Sequence, residues 1–234
     1  MNRFLFLSIF YMMVSCGSNA NFGVVTCSEI YNGEESITIK PKRNISHYMP
    51  KNFGHSYSPS YDIKIGVHIP LTKNNDGILK ELIIDVKKSI IYDMNKKKSI
   101  HNDNDKFAPF LINVYEFDLK NKQFINKFFV EDTLISLKKN EKKIRLNLEQ
   151  YKIPFSENGL FITIEKLSKK KYEELGFVNG PSFGIVGVSK RNIISPYYLN
   201  NRYESQWQDY KFLIERNNTF DINFVISRKK LKAN

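Results

Sequence analysis

Lys142-Lys143-Ile144-Arg145-Leu146-Asn147-Leu148-Glu149 is the stretch that decides the fold. Ile144, Leu146 and Leu148 fall on one side of an extended chain, with Lys143, Arg145, Asn147 and Glu149 on the other. A period of two is what a strand with one buried face requires. The pattern returns on either side. Leu160, Ile162 and Ile164 repeat it after the turn-like Ser156-Glu157-Asn158-Gly159. Phe220, Ile222, Phe224 and Ile226 repeat it again, opposite Asp221, Asn223 and Ser227. Residues 62–69, 79–86, 110–117, 124–130 and 133–137 have the length and composition of further strands, and 36–40 offers another.

Lys120-Asn121-Lys122 and Lys138-Lys139-Asn140-Glu141 have the polar character of hairpin turns. Residues 169–175, closed by Gly176, make the one short helix candidate. Many short strands with polar turns predict an all-β protein. One-faced sheets must cover each other, so the expected fold is an antiparallel two-sheet β-sandwich of jelly-roll type. Hydrophobic residues at 41% and aromatics at 14% supply its core, and 18 Phe with 13 Tyr favour pleated surfaces.

The N-terminus reads as an export signal. Arg3 precedes an apolar run over 4–14, and small residues then surround Cys16. The run is too short to span a hydrocarbon core of roughly 30 Å as a helix. Met13-Val14-Ser15-Cys16-Gly17 is similar to a bacterial lipoprotein signal, which implies lipidation of Cys16 and attachment to a membrane. Cleavage after Ser18-Asn19-Ala20 is the other reading, and it would release a soluble periplasmic or secreted protein. The expected organisation is therefore a signal peptide over 1–15, a lipid-anchored lead-in over 16–60 that partly joins the fold, and a sandwich over 61–234. The two cysteines are Cys16 and Cys27, fewer than a disulfide framework uses. With lipid on Cys16, Cys27 is a small core residue.

The formal net charge is +12. Its lysines come in short runs between apolar segments, the pattern of solvated turns, with no interleaved stacking aromatics. Nucleic acid is not expected as a partner.

Residues 143–155 (KIRLNLEQYKIPF) followed by 157–165 (ENGLFITIE) resemble the C-terminal β region of Bacteroidota envelope proteins, the carboxypeptidase-like regulatory-domain proteins. Residues 79–89, Ile112-Asn113-Val114-Tyr115-Glu116-Phe117, and Tyr197-Tyr198 with Trp207 extend the likeness. The resemblance implies a Gram-negative envelope setting and carries over no catalytic residue. In that setting the absence of an acid in Ser18-Asn19-Ala20-Asn21 implies the periplasmic face of the outer membrane. Asp132-Thr133-Leu134 matches such bacteria's short O-glycosylation motif.

Catalytic and metal chemistry find little footing. His47, His55, His68 and His101 lack the spacing of zinc ligands. No nucleophile elbow, phosphate loop or dinucleotide fingerprint is present. Gly180-Pro181-Ser182-Phe183-Gly184 is a turn leading into 185–188. Two strand carboxylates, Glu116 and Glu165, could form the acid/base pair of a carbohydrate-active hydrolase if they faced each other. The stronger expectation is a non-enzymatic module without cofactor or metal, binding a glycan or an envelope protein. Tyr197, Tyr198, Arg202, Tyr203 and Trp207 are its candidate contacts, because flat rings beside amide and guanidinium donors suit sugars. Exposure of the rings in a row would favour a glycan; burial would leave protein contact or a scaffold role.

Overall fold

The computed structural model describes residues 14–18, 24–31, 34–41, 56–71, 77–93, 98–129, 133–187, 195–200, 206–215 and 217–229. The apolar run over 4–13, His47, His55, Asp132, Arg202 and Tyr203 lie outside the described residues, as do the side chains of Cys16, Cys27 and His101.

Among the described residues the strands form two seven-stranded antiparallel sheets and two smaller ones. The first sheet runs β1 (Val14–Ser18), β2 (Val24–Tyr31), β3 (Glu34–Pro41), β20 (Ile222–Lys229), β6 (Ile78–Ile84), β13 (Ile144–Asn147), with β14 (Ile153–Pro154) also on β6. The second runs β11 (Gln123–Lys127), β10 (Phe110–Asp118), β15 (Leu160–Lys166), β5 (Ile63–Ile69), β17 (Ser195–Asn200), β18 (Gln208–Asp209), with β12 (Thr133–Ile135) on β10. A third sheet gathers β19 (Asn218–Phe220), β16 (Ser182–Gly187), β4 (Ser56–Tyr57) and β7 (Val86–Lys87), and β8 (Ser89–Asp93) pairs with β9 (Lys98–Asn102). The fold is the all-β sandwich that the alternation predicts.

Its core forms where the apolar faces meet. Val67, Ile112 and Ile162 of the second sheet join Leu82, Ile144 and Phe224 of the first in one buried cluster. Period two holds along β5, where Ile65, Val67 and Ile69 are buried in that cluster while Lys64, Gly66 and His68 face the other way.

The sheets are joined at a corner. The chain bends at Asp85, between β6 and β7, and at Asp221, between β19 and β20, and both bends meet Gly184 in the middle of β16. Asp85 N–H donates to the Asp221 carbonyl, Asp221 N–H to the Gly184 carbonyl, and Gly184 N–H to the Asp85 carbonyl, at 3.2, 2.8 and 2.7 Å. This ring of three bonds satisfies backbone groups where strands change sheets. Only glycine fits at 184, because a Cβ there would lie 2.4 Å from Asp85 Oδ2. Each aspartate is ion-paired, Asp85 with Lys87 at 2.9 Å and Asp221 with Lys143 at 2.8 Å. Asp221 is thus buried although it lies opposite the apolar face that continues along β20, and Asn223 and Ser227 on the same side are buried with it.

One turn differs from expectation. Lys138–Glu141 is not a hairpin: β12 pairs with β10 in the second sheet, and β13 pairs with β6 in the first. The segment carries the chain across the sandwich, with Leu137 buried on the way. Lys120-Asn121-Lys122 does close a hairpin, between β10 and β11, with Asp118 Oδ1 accepting from the Lys120 and Asn121 N–H groups. The helix candidate forms α1 (Lys169–Glu174), whose N-cap Ser168 accepts from Lys171 N–H. A second short helix, α2 (Lys211–Ile214), follows β18.

Candidate functional site

Two constellations stand out from the scaffold. The first lies on the outer face of the second sheet. Gly66 on β5 leaves a gap there, and the Phe161 and Trp207 rings fill it: a Cβ at 66 would meet Phe161 at 2.4 Å and Trp207 at 2.9 Å. Phe117 and Tyr197 complete a small second core around them. Phe161 lies 4.9 Å from Trp207 and 5.4 Å from Tyr197, ring centre to ring centre.

Two of the five expected contacts are therefore covered. Tyr197 is 5% exposed and Trp207 4%, so their faces are covered by protein. Tyr198, one residue along β17, points to the opposite side, 5.3 Å from the Tyr210 ring. Burial pushes the Tyr197 hydroxyl up to about 12, with the Asp209 charge adding to it. Sequence alone could not foresee this, because the glycine that draws the rings in lies on a strand far away in the chain. The aromatic layer reaches solvent instead at Phe124 of β11, which is 38% exposed and stacks on Tyr115 at 4.0 Å and 17°.

The candidate carboxylates do not converge. Glu165 pairs with Lys64 at 2.7 Å. Glu116 accepts from the amides of Asn126 at 2.7 Å and Asn158 at 3.0 Å, and those bonds hold its carboxyl below the usual range. In the β10–β15 register Glu165 faces Leu111 and Glu116 faces Leu160. The two are thus five steps apart along the ladder, about 17 Å, outside the range that glycoside hydrolysis uses. His68 is buried, with Nε2 3.0 Å from the Asn158 carbonyl, and burial lowers its pKa. A neutral ring donating to that carbonyl accounts for its position. Among the described residues no three His, Cys, Asp or Glu side chains gather as a metal site.

The second constellation was not among the sequence candidates. Lys166, the last residue of β15, is 3% exposed. It shares the parity of Leu160, Ile162 and Ile164, and that was the available signal, since period two places it on the core side. Its Nζ donates to Ser58 Oγ at 2.9 Å and stands 5.8 Å from the centre of the Tyr61 ring. Burial pulls the amine down to about 7, and the charge of Asp105 works against that shift. Asp105 is itself fully buried and is held elsewhere. It accepts from the Ser89 hydroxyl and from the Val178 and Asn179 N–H groups, both at 3.2 Å. Tyr61 donates to Asn179 Oδ1 at 2.7 Å, and Tyr172 of α1 donates to the Pro109 carbonyl at 2.8 Å.

No family model, curated protein or solved structure matches the chain.

Proposed function

We propose that the protein is an exported, lipid-anchored envelope module that docks an extended segment of a partner protein along strand β11. The observation that carries this is the state of that strand. Among the described residues it ends the second sheet, and all five of its residues, Gln123 to Lys127, are exposed. An edge strand offers unpaired N–H and C=O groups to any extended chain, and natural edges are commonly blunted by charge. Here Lys122 precedes the strand and Lys127 ends it, but between them Phe124 and Ile125 are 38% and 49% exposed, with Leu134 of β12 exposed as well. Phe124 is already fixed by stacking on Tyr115, so contact there costs little side-chain entropy. Strand addition with apolar pockets for alternate side chains is the recognition mode that suits such an edge. The order of charged, apolar and small residues ending in Cys16 supports the anchor.

A photo-crosslinking side chain at position 125 of the full chain, expressed in its own envelope, tests the docking. The expected result is one discrete protein adduct that disappears with Phe124→Lys. The same probe at Ile214, an exposed apolar residue on α2, should not form it. Adducts of equal yield at both positions, or none at 125, would remove the proposal. A polysaccharide adduct would return the reading to a glycan.

A further inference from the structure

Lys166 is buried, whereas Lys64, Lys80 and Lys143 are half-buried and Lys87 is exposed. Lys64, Lys80, Lys87 and Lys143 each reach a carboxylate, whereas no ion pair involving Lys166 forms among the described residues. The buried acid of its neighbourhood, Asp105, is occupied by one hydroxyl and two backbone N–H groups. Burying an ammonium without a paired carboxylate is costly, and the group responds by giving up its proton more easily. What remains in front of the amine is Ser58 Oγ, 2.9 Å away. Ser58 is half-buried, in the Ser58-Pro59-Ser60 segment that leads into β5, while Lys166 is buried. Of the two residues, the serine is the more accessible to an electrophile arriving from solvent.

The geometry points to Ser58 as a nucleophile and Lys166 as its general base, a pair that takes the acyl group of a carboxylic ester. A serine hydroxyl is a weak nucleophile until a base within hydrogen-bond reach accepts its proton. Oγ attacks the carbonyl carbon as Nζ takes the hydroxyl proton. The tetrahedral adduct then collapses, the C–O bond to the alcohol breaks, and the alcohol leaves with the proton from Nζ. Water, giving a proton to Nζ, attacks the acyl-serine. Ser58 departs from that adduct with the proton returned, and the acid is released. Ester and water go to acid and alcohol, with no redox change. Serine–lysine pairs of this kind are a known variant of the nucleophile–base arrangement.

The groups around the amine suit the cycle. The Tyr61 ring face and the Asp105 charge both favour the transient ammonium. The Tyr61 and Tyr172 hydroxyls are held protonated by burial and do not compete for the proton. This activity is independent of β11 and does not rest on the docking proposal.

The test is reaction of the full chain with a fluorophosphonate, a serine-directed electrophile, read by intact mass and peptide mapping. The expected result is one adduct on Ser58, absent in Ser58→Ala, with a rate that rises with pH and reaches half its maximum near 7. Lys166→Met, shown to be folded by its circular dichroism, should slow the reaction about 100-fold. Should Lys166→Met fail to fold, the wild-type pH profile decides. A rate that follows a group near 7 supports the pair, and a flat profile or one still rising above 9 overturns it. A folded wild type left unlabelled at Ser58, or labelling unchanged in a folded Lys166→Met, also overturns it.

Discussion

At the scale of single residues, two side chains carry most of the argument. Trp207 looks in the sequence like a ligand contact beside Tyr197 and Tyr198, and in the fold it is a plug over Gly66. Trp207→Ala should therefore cost stability, about 3–5 kcal/mol, the range for removing a buried aromatic. Urea denaturation would measure it, and an unchanged midpoint would contradict the packing. Lys166 makes a pH prediction. Its amine titrates near 7 when folded and near 10.5 when exposed, so between those values the unfolded chain binds the extra proton. Stability must then rise with pH across that window. Comparing urea midpoints of wild type and Lys166→Met at pH 7 and pH 9.5 isolates the effect, because other groups cancel. Wild type should gain on the variant as pH rises, and a constant gap would contradict a buried, unpaired amine.

Elements were legible wherever one face of a strand alone decides its pattern. Ile144–Asn147, Leu160–Lys166 and Ile222–Lys229 follow from alternation, and α1 from its closing glycine. Pairing was less legible. Lys138–Glu141 has the composition of a hairpin turn, but the same residues serve a crossing between layers, and composition does not encode the partner strand. The polar side of β20 misleads in another way. Asp221 reads as a solvent residue and is buried because Lys143 and the three-strand corner satisfy it. That corner depends on Gly184. Gly184→Ala pushes a methyl against Asp85 and should destabilise by about 1–3 kcal/mol. Thermal unfolding followed at a far-ultraviolet strand signal would show a lower, still cooperative transition. No shift would mean that the corner yields freely.

For the whole molecule, composition and periodicity were enough to reach an all-β sandwich, since apolar content on alternating faces leaves sheets no other way to hide. The candidate site was legible only in part. Aromatic richness near the C-terminus was visible, but whether a ring faces water depends on the opposing strand, here the one that carries Gly66. The Ser58–Lys166 pair joins residues 108 positions apart, beyond the reach of any local motif. The proposed anchor makes its own prediction. Intact mass of the protein from its native membrane should show a diacyl or triacyl modification on a chain starting at Cys16, and an unmodified chain starting at Asn21 would exclude it. Such processing has a mechanical consequence. Strand β1 would keep Cys16, Gly17 and Ser18 opposite Cys27, Thr26 and Val25, so the acylated residue would itself be a rung of the sheet. There would be no leash between lipid and fold. A body fastened that way could not reach out across the periplasm: it would ride flush on the bilayer in a fixed pose, and whatever it met would have to come down to the membrane surface.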